Sequence, residues 1–331
     1  MAFLRNITAA LLALALTSCY EEFSPKIDTT PVLCMNSLIT AGQPIEVELS
    51  RTWVYNDPTS QNDHSVKNAS VHIYANGELR DNTYIPQQGD RIRLVAECPG
   101  YEPAEAEVTV PYAVPFSSID CKPVLLSRWT MDVPGWDFVE QMSFNTYFTL
   151  CISDVPDRTD YYRFTFEGFE NDNEATDFHI GSFEYESEPI FSEHIGAFEV
   201  VMGSTAWNFQ FFTDRQFSGK DYKMHINFMF GAFAANMTEF DDSALDCGYI
   251  LTLSTVSESF YNWEIYRWQV SEGIGNDMSD VGLSDPLISY SNVSTGAGVV
   301  AAQACTSYRI NMADFLKSCL EENNQQNNKP E

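Results

Sequence analysis

The chain has 331 residues, 44% of them hydrophobic and 14% aromatic, and its 47 acidic against 18 basic side chains leave a net charge of −29. That is enough apolar material for the core of one large or two medium domains. The acidic balance is repelled by phosphate backbones and anionic lipid, and no basic patch offsets it, which excludes nucleic-acid binding and flat adsorption on an anionic membrane.

The first segment reads as a secretory signal over residues 1–18. Arg5 precedes an apolar run from Ile7 to Leu16, and small residues then lead into Cys19. The run is shorter than the roughly 20 apolar residues a membrane span requires. Leu16-Thr17-Ser18-Cys19 is similar to the lipobox of bacterial lipoproteins, in which the cysteine thiol is acylated and the chain is cut before it. An ordinary signal peptide ending near a cysteine is the plainer alternative. Lipidation at Cys19 makes a firm anchor, because each buried methylene contributes about 0.8 kcal/mol. Tyr20-Glu21-Glu22 resembles the export signal that places Bacteroidota lipoproteins on the outer face of the outer membrane; a solvated linker is the alternative.

Residues 19–30 are a polar tether, followed by strands from Val32 to Leu38 and Ile45 to Leu49 around a turn at Gly42. Ala69, Val71, Ile73 and Ala75 alternate inward up to Asn76-Gly77, a hairpin pattern. Further strands run from Arg91 to Glu97 and from Ala104 to Val110. These short strands, with no helical period, predict an immunoglobulin-like β-sandwich over 31–112. Pro111 to Ser118 reads as a linker or a crossing strand.

A larger antiparallel β domain is predicted over 113–318. Its strands are read at Asn145–Ser153, Tyr161–Phe169, Ala197–Met202, Trp207–Thr213, Tyr222–Phe230 and Ile250–Thr255, and from Gly298. Aromatic and β-branched side chains suit such a pleated surface. One short aromatic helix is expected after Ser257, whose hydroxyl can cap it. Tyr261, Ile265 and Trp268 then share the face turned to the sheet. Residues 319–331 form a tail, apolar-free from Glu321 onward, that is expected to be disordered.

Seven cysteines remain beside Cys19, and neither a CxxC pair nor a Cys/His cluster occurs, which argues against structural zinc. An odd number leaves at least one thiol free. Cys34 and Cys98 can bridge within the first domain, or stay as buried thiols. His179-Ile-Gly-Ser-Phe-Glu184 recurs as His194-Ile-Gly-Ala-Phe-Glu199. Two copies across a hairpin bring His179 and His194 together as a metal grip; two similar strands with exposed histidines are the commoner outcome.

Gly296-Ala-Gly298 leads into Val299-Val300-Ala301-Ala302, which reads as a backbone bend before a strand rather than a phosphate cradle. Neither a Gly-x-Ser-x-Gly elbow nor an HExxH motif is present, no cofactor is implied, and a non-enzymatic role is expected. The rings of Trp129, Trp136, Trp207, Phe211, Phe212, Trp263 and Trp268 exceed what packing needs, and stacking on exposed rings is a common way to hold sugars or peptides. Trp129 and Trp136 flank Pro134-Gly135 in a polar stretch and are the first choice for ligand contact. Asp242-Ser243-Ala244 resembles a short O-glycosylation acceptor, with Ser243 as the modified residue.

Several segments in order resemble the Bacteroidota lipoprotein family catalogued as domain of unknown function 4249. They are Cys19-Tyr-Glu-Glu, Val47 to Arg51, Asn68 to Gly77, Gly89 to Pro111, Ser257 to Trp268, Asp285-Pro286, Ser291-Asn292-Val293 and Gly296-Ala-Gly298. The resemblance implies an outer-membrane surface lipoprotein that assists a TonB-dependent receptor in nutrient uptake, with no ligand agreed for the family. An unknown small ligand, peptide or glycan is expected as its further partner. A structural or adhesive lipoprotein and a glycan hydrolase are the alternative classes.

Overall fold

The computed structural model describes residues 30–53, 64–131, 139–169, 176–184, 188–192, 210–235, 247–271, 289–315 and 318. Cys19, Trp136, His194, Trp207, Ser243 and the tail lie outside them, as does the strand expected at 197–202. Residues 32–52 and 63–331 belong to one compact unit, which contains every strand and helix named below.

The fold is mainly β. The first strands are β1 (Leu33–Thr40), β2 (Glu48–Arg51), β3 (Ser70–Ala75), β4 (Glu78–Arg80), β5 (Arg91–Glu97) and β6 (Ala104–Thr109). Three long ones follow, β7 (Phe116–Met131), β8 (Val139–Ser153) and β9 (Tyr161–Phe169), then β10 (Thr176–Glu184) and the short β11 (Phe211–Thr213). The last are β12 (Asp221–Ala235), β13 (Gly248–Val256), helix α1 (Glu258–Ser271) and β14 (Val300–Asn311).

They form three sheets, ordered β11-β9-β13-β14-β1-β2, β10-β12-β8-β7 and β4-β3-β5-β6. All pairings are antiparallel except β1 with β14, where Ser37 to Thr40 run beside Val300 to Gln303 in the same direction. The six-stranded sheet therefore draws strands from both sides of the boundary read at residue 112. β1 and β2 come from the first segment; the other four come from the second.

Alternation explains why this sheet has two distinct faces. On one face β1 presents Leu33, Met35 and Ile39, and β14 presents Val300 and Ala302, all buried against β3, β5 and β6. On the same face Tyr162 and Phe164 of β9 and Leu251 and Leu253 of β13 meet Phe144, Phe148, Met224 and Phe228 from the long sheet. Phe148 stands edge-on to both Phe228 and Tyr249, with ring centroids 5.4 and 5.5 Å apart. The opposite face carries α1. Tyr261, Ile265 and Trp268 pack there against Tyr161, Phe211, Val256, Val299 and Ala301, as the helical spacing requires.

β7 departs from the sequence reading. Pro111 to Ser118 reads as a linker or a crossing strand and Trp129 as a loop residue; residues 116–131 form one strand paired along its length with β8. Pro123 lies within it, which an end strand tolerates because that residue donates no ladder hydrogen bond. Register shifts near residues 117 and 126 break the alternation that would have identified it. Cys34 and Cys98 are both free thiols, so the bridge considered between them is not made. Cys34 lies outward on β1, alternating with core residues, while Cys98 is buried in the core.

Candidate functional site

A groove of about 630 Å³ opens on the α1 side of the six-stranded sheet. Three separate segments build it. Its floor is the outward row of β1, Cys34, Asn36 and Leu38, each alternating with a core residue. One wall is Phe260 and Trp263 of α1 together with Tyr290; the other is Glu46 and Glu48, at and before β2. The β1–β2 register sets Glu48 directly opposite Asn36. Neighbouring strands are ~4.8 Å apart, so the acidic rim runs parallel to the floor one strand away.

The walls are held by short-range chemistry. Ser257 caps α1: its carbonyl accepts from Phe260 N–H at 3.0 Å and Tyr261 N–H at 3.1 Å, and its Oγ accepts from Ala302 N–H at 2.9 Å. Ser259 Oγ donates to the Val300 carbonyl at 2.9 Å, so the first turn is stapled to β14. Tyr290 is held by its neighbours. Asn292 accepts from Val300 N–H at 2.9 Å and donates back to its carbonyl at 2.8 Å, and Ser291 Oγ donates to the Gly298 carbonyl at 2.9 Å. Burial raises the Tyr290 hydroxyl above its ordinary pKa, which keeps it a neutral group of the wall.

The bend read at Gly296-Ala-Gly298 is the joint between wall and floor. Ala297 N–H donates to Leu33 O at 3.0 Å and Met35 N–H to Ala297 O at 2.9 Å. Asn36 Oδ1 accepts from Val299 N–H at 3.0 Å. Gly298 has φ +106°, and a Cβ there would run into the Met35 carbonyl and stand 2.8 Å from Asn36 Oδ1. Only glycine lets the chain come this close.

The electrostatics are one-sided. None of the groove-lining residues is Lys, Arg or His, and among the described residues neither Glu46 nor Glu48 has an ion-pair partner. Among the described residues the carboxyls that burial raises, Asp160 and Asp214, line no part of the groove. They are almost fully buried where β8, β9 and the turn before β12 meet, with Arg158 Nε at 2.7 Å from Asp160. The described lining brings together aromatic rings and two carboxylates.

The other residues singled out from the sequence fall elsewhere. Trp129 is 55% exposed on β7, outside the groove. Phe211 and Phe212 are core residues, and Trp268 packs under α1. His179 lies on β10, whose described partner is β12, with His179 opposite Gly231. Among the described residues no group of three or more His, Cys, Asp or Glu side chains is placed to hold a metal. Glu46, Glu48, Asn36 and Tyr290 were missed. The signal that could have found them is Leu38, an apolar residue on the outward row of β1, which marks a face not given wholly to water.

The chain matches no curated protein and no solved structure. A family model matches residues 20–309, most of the chain, and by this match the chain belongs to the family described as Domain of unknown function (DUF4249).

Proposed function

We propose that the chain is a non-enzymatic lipoprotein, tethered through acyl chains on Cys19 to the outer membrane and facing outward. Its groove holds a ligand on behalf of a TonB-dependent receptor during nutrient uptake. The observation that carries the binding role is the groove itself. Its volume lies in the ordinary range for small-ligand sites, and aromatic and polar residues line it together. The tether follows from the lipobox and the short polar stretch before β1. A hydrolase would be expected to set carboxyls of raised pKa in its cleft; among the described residues such carboxyls lie buried elsewhere, which favours binding over catalysis.

A second reading, an adhesive or structural role, draws support from the exposed Leu126, Trp129 and Tyr147 on β7 and β8. The test is a pull-down of the intact lipoprotein from outer membranes. The uptake role predicts recovery of a receptor-sized β-barrel. Failure to recover one, with the protein retained on the cell surface, favours the adhesive role.

A further inference from the structure

We infer that the groove selects a small ligand bearing an organic cation, an ammonium or guanidinium, which sits between the Trp263 and Tyr290 rings and the carboxylates of Glu46 and Glu48. This rests on the groove being the ligand site and adds the chemical class of what it takes. The observations are independent of one another. Trp263 and Tyr290 stand on one wall, and among the described residues no resident cation lies over either ring. Elsewhere the protein places its own cations on ring faces, Arg93 at 4.2 Å from the centroid of Tyr74 and Arg309 at 3.4 Å from that of Phe169.

The opposite rim carries two exposed carboxylates, and among the described residues neither has a counter-ion and no lining residue is basic. A cation entering between the walls meets aromatic rings on one side and a carboxylate on the other. An anionic ligand would meet repulsion from the same rim and find no donor stronger than an amide, a hydroxyl or a thiol. The floor supports this division. Asn36 is committed through Oδ1 to Val299 N–H and through Nδ2 to Cys34 Sγ at 3.8 Å, so the polar group it presents is already partnered. Charge recognition is left to the rim.

The test uses the full lipoprotein in detergent with three probes: trilysine, spermidine and neutral maltotriose. Calorimetric titration should show binding of trilysine or spermidine that weakens between about 0.05 and 0.5 M NaCl, because the rim is exposed. Trp263→Ala, and separately Glu46→Gln with Glu48→Gln, should each weaken it about tenfold or more. Trp263→Phe, which keeps a ring, should retain most of it. Glu97→Gln with Glu102→Gln removes the same charge outside the groove and should leave it unchanged. That control is required for a chain of net charge −29.

Binding of trilysine but not spermidine points to a peptide-borne side chain, and the reverse to a free polyamine; both uphold the cation. Equal loss in the groove and control variants overturns it, as does binding indifferent to Trp263. Maltotriose held with loss on Trp263→Ala, and neither amine held, also overturns the cation assignment while leaving the groove a ligand site. Failure of the barrel pull-down speaks only to the uptake role.

Discussion

Replacing Gly298 by alanine tests the joint on which the groove depends. A non-glycine residue held at such a positive φ costs about 1–3 kcal/mol. The new Cβ would press on the Met35 carbonyl, a backbone atom of β1 that cannot swing aside, and crowding of this kind costs a further ~1–3 kcal/mol. The stiffer unfolded chain returns about 0.4–1 kcal/mol. The net expectation is a loss of about 1–6 kcal/mol, centred on ~3 kcal/mol.

Gly77 supplies the control. It sits at φ +87° in the β3–β4 turn, and a Cβ placed on it would have no neighbour within 4 Å, so Gly77→Ala carries the conformational cost alone. The assay is urea unfolding followed by tryptophan fluorescence. With a slope of about 3 kcal/mol per molar, the Gly298 variant should lose ~1 M in midpoint and the Gly77 variant a few tenths. Amide exchange at Val299 should also quicken, because its acceptor on Asn36 is displaced. Equal midpoints for the two variants, or an unchanged Gly298 variant, would refute the reasoning.

Two further outcomes concern the buried polar groups around β9. Tyr162 Oη donates to Asp154 Oδ1 at 2.5 Å with both residues buried, and Gly219 N–H at 2.8 Å is the carboxylate's other partner. Tyr162→Phe should therefore cost about 1.5–3 kcal/mol of unfolding free energy, and a neutral result would mean that water replaces the hydroxyl. Burial raises Asp160 and Asp214 above 3.8, so the folded state holds their protons more tightly than the unfolded chain. Their contribution to stability consequently falls as pH rises from 3.8 through the raised values. Asp214 Oδ2 has no hydrogen-bond partner, so Asp214→Asn should compare more favourably with the wild type at pH 7 than at pH 4. Unfolding midpoints at the two pH values check this, and the opposite order would contradict it.

Much of the fold was legible because its signals are local. The β3–β4 turn is written in Asn76-Gly77, with φ +53° and +87°, both left-handed as a tight hairpin requires. β9 matches its alternating aromatics residue for residue, and α1 is announced by Ser257 and the spacing of Tyr261, Ile265 and Trp268. β7 was illegible for equally physical reasons: Pro123, the charges of Asp120, Lys122 and Arg128, and two register shifts erase its period. The parallel pairing of β1 with β14 joins residues more than 250 positions apart, and nothing local encodes it.

The groove shares that difficulty. Trp263 was visible as a surplus aromatic ring, but its position opposite Glu46 and Glu48 exists only once β1 lies between α1 and β2. Trp129, preferred from its polar surroundings, is indeed exposed, yet it stands on a different sheet. Composition can indicate that a ring meets water; it cannot place that ring beside a particular partner.

The proposed tether decides where the groove works, and intact mass spectrometry of the purified mature protein tests it most directly. The account predicts an N-terminal Cys19 whose thiol carries a diacylglycerol thioether, and a Cys19→Ala chain that stays unprocessed and leaves the membrane. A mature N-terminus at another residue, without added lipid mass, would contradict it.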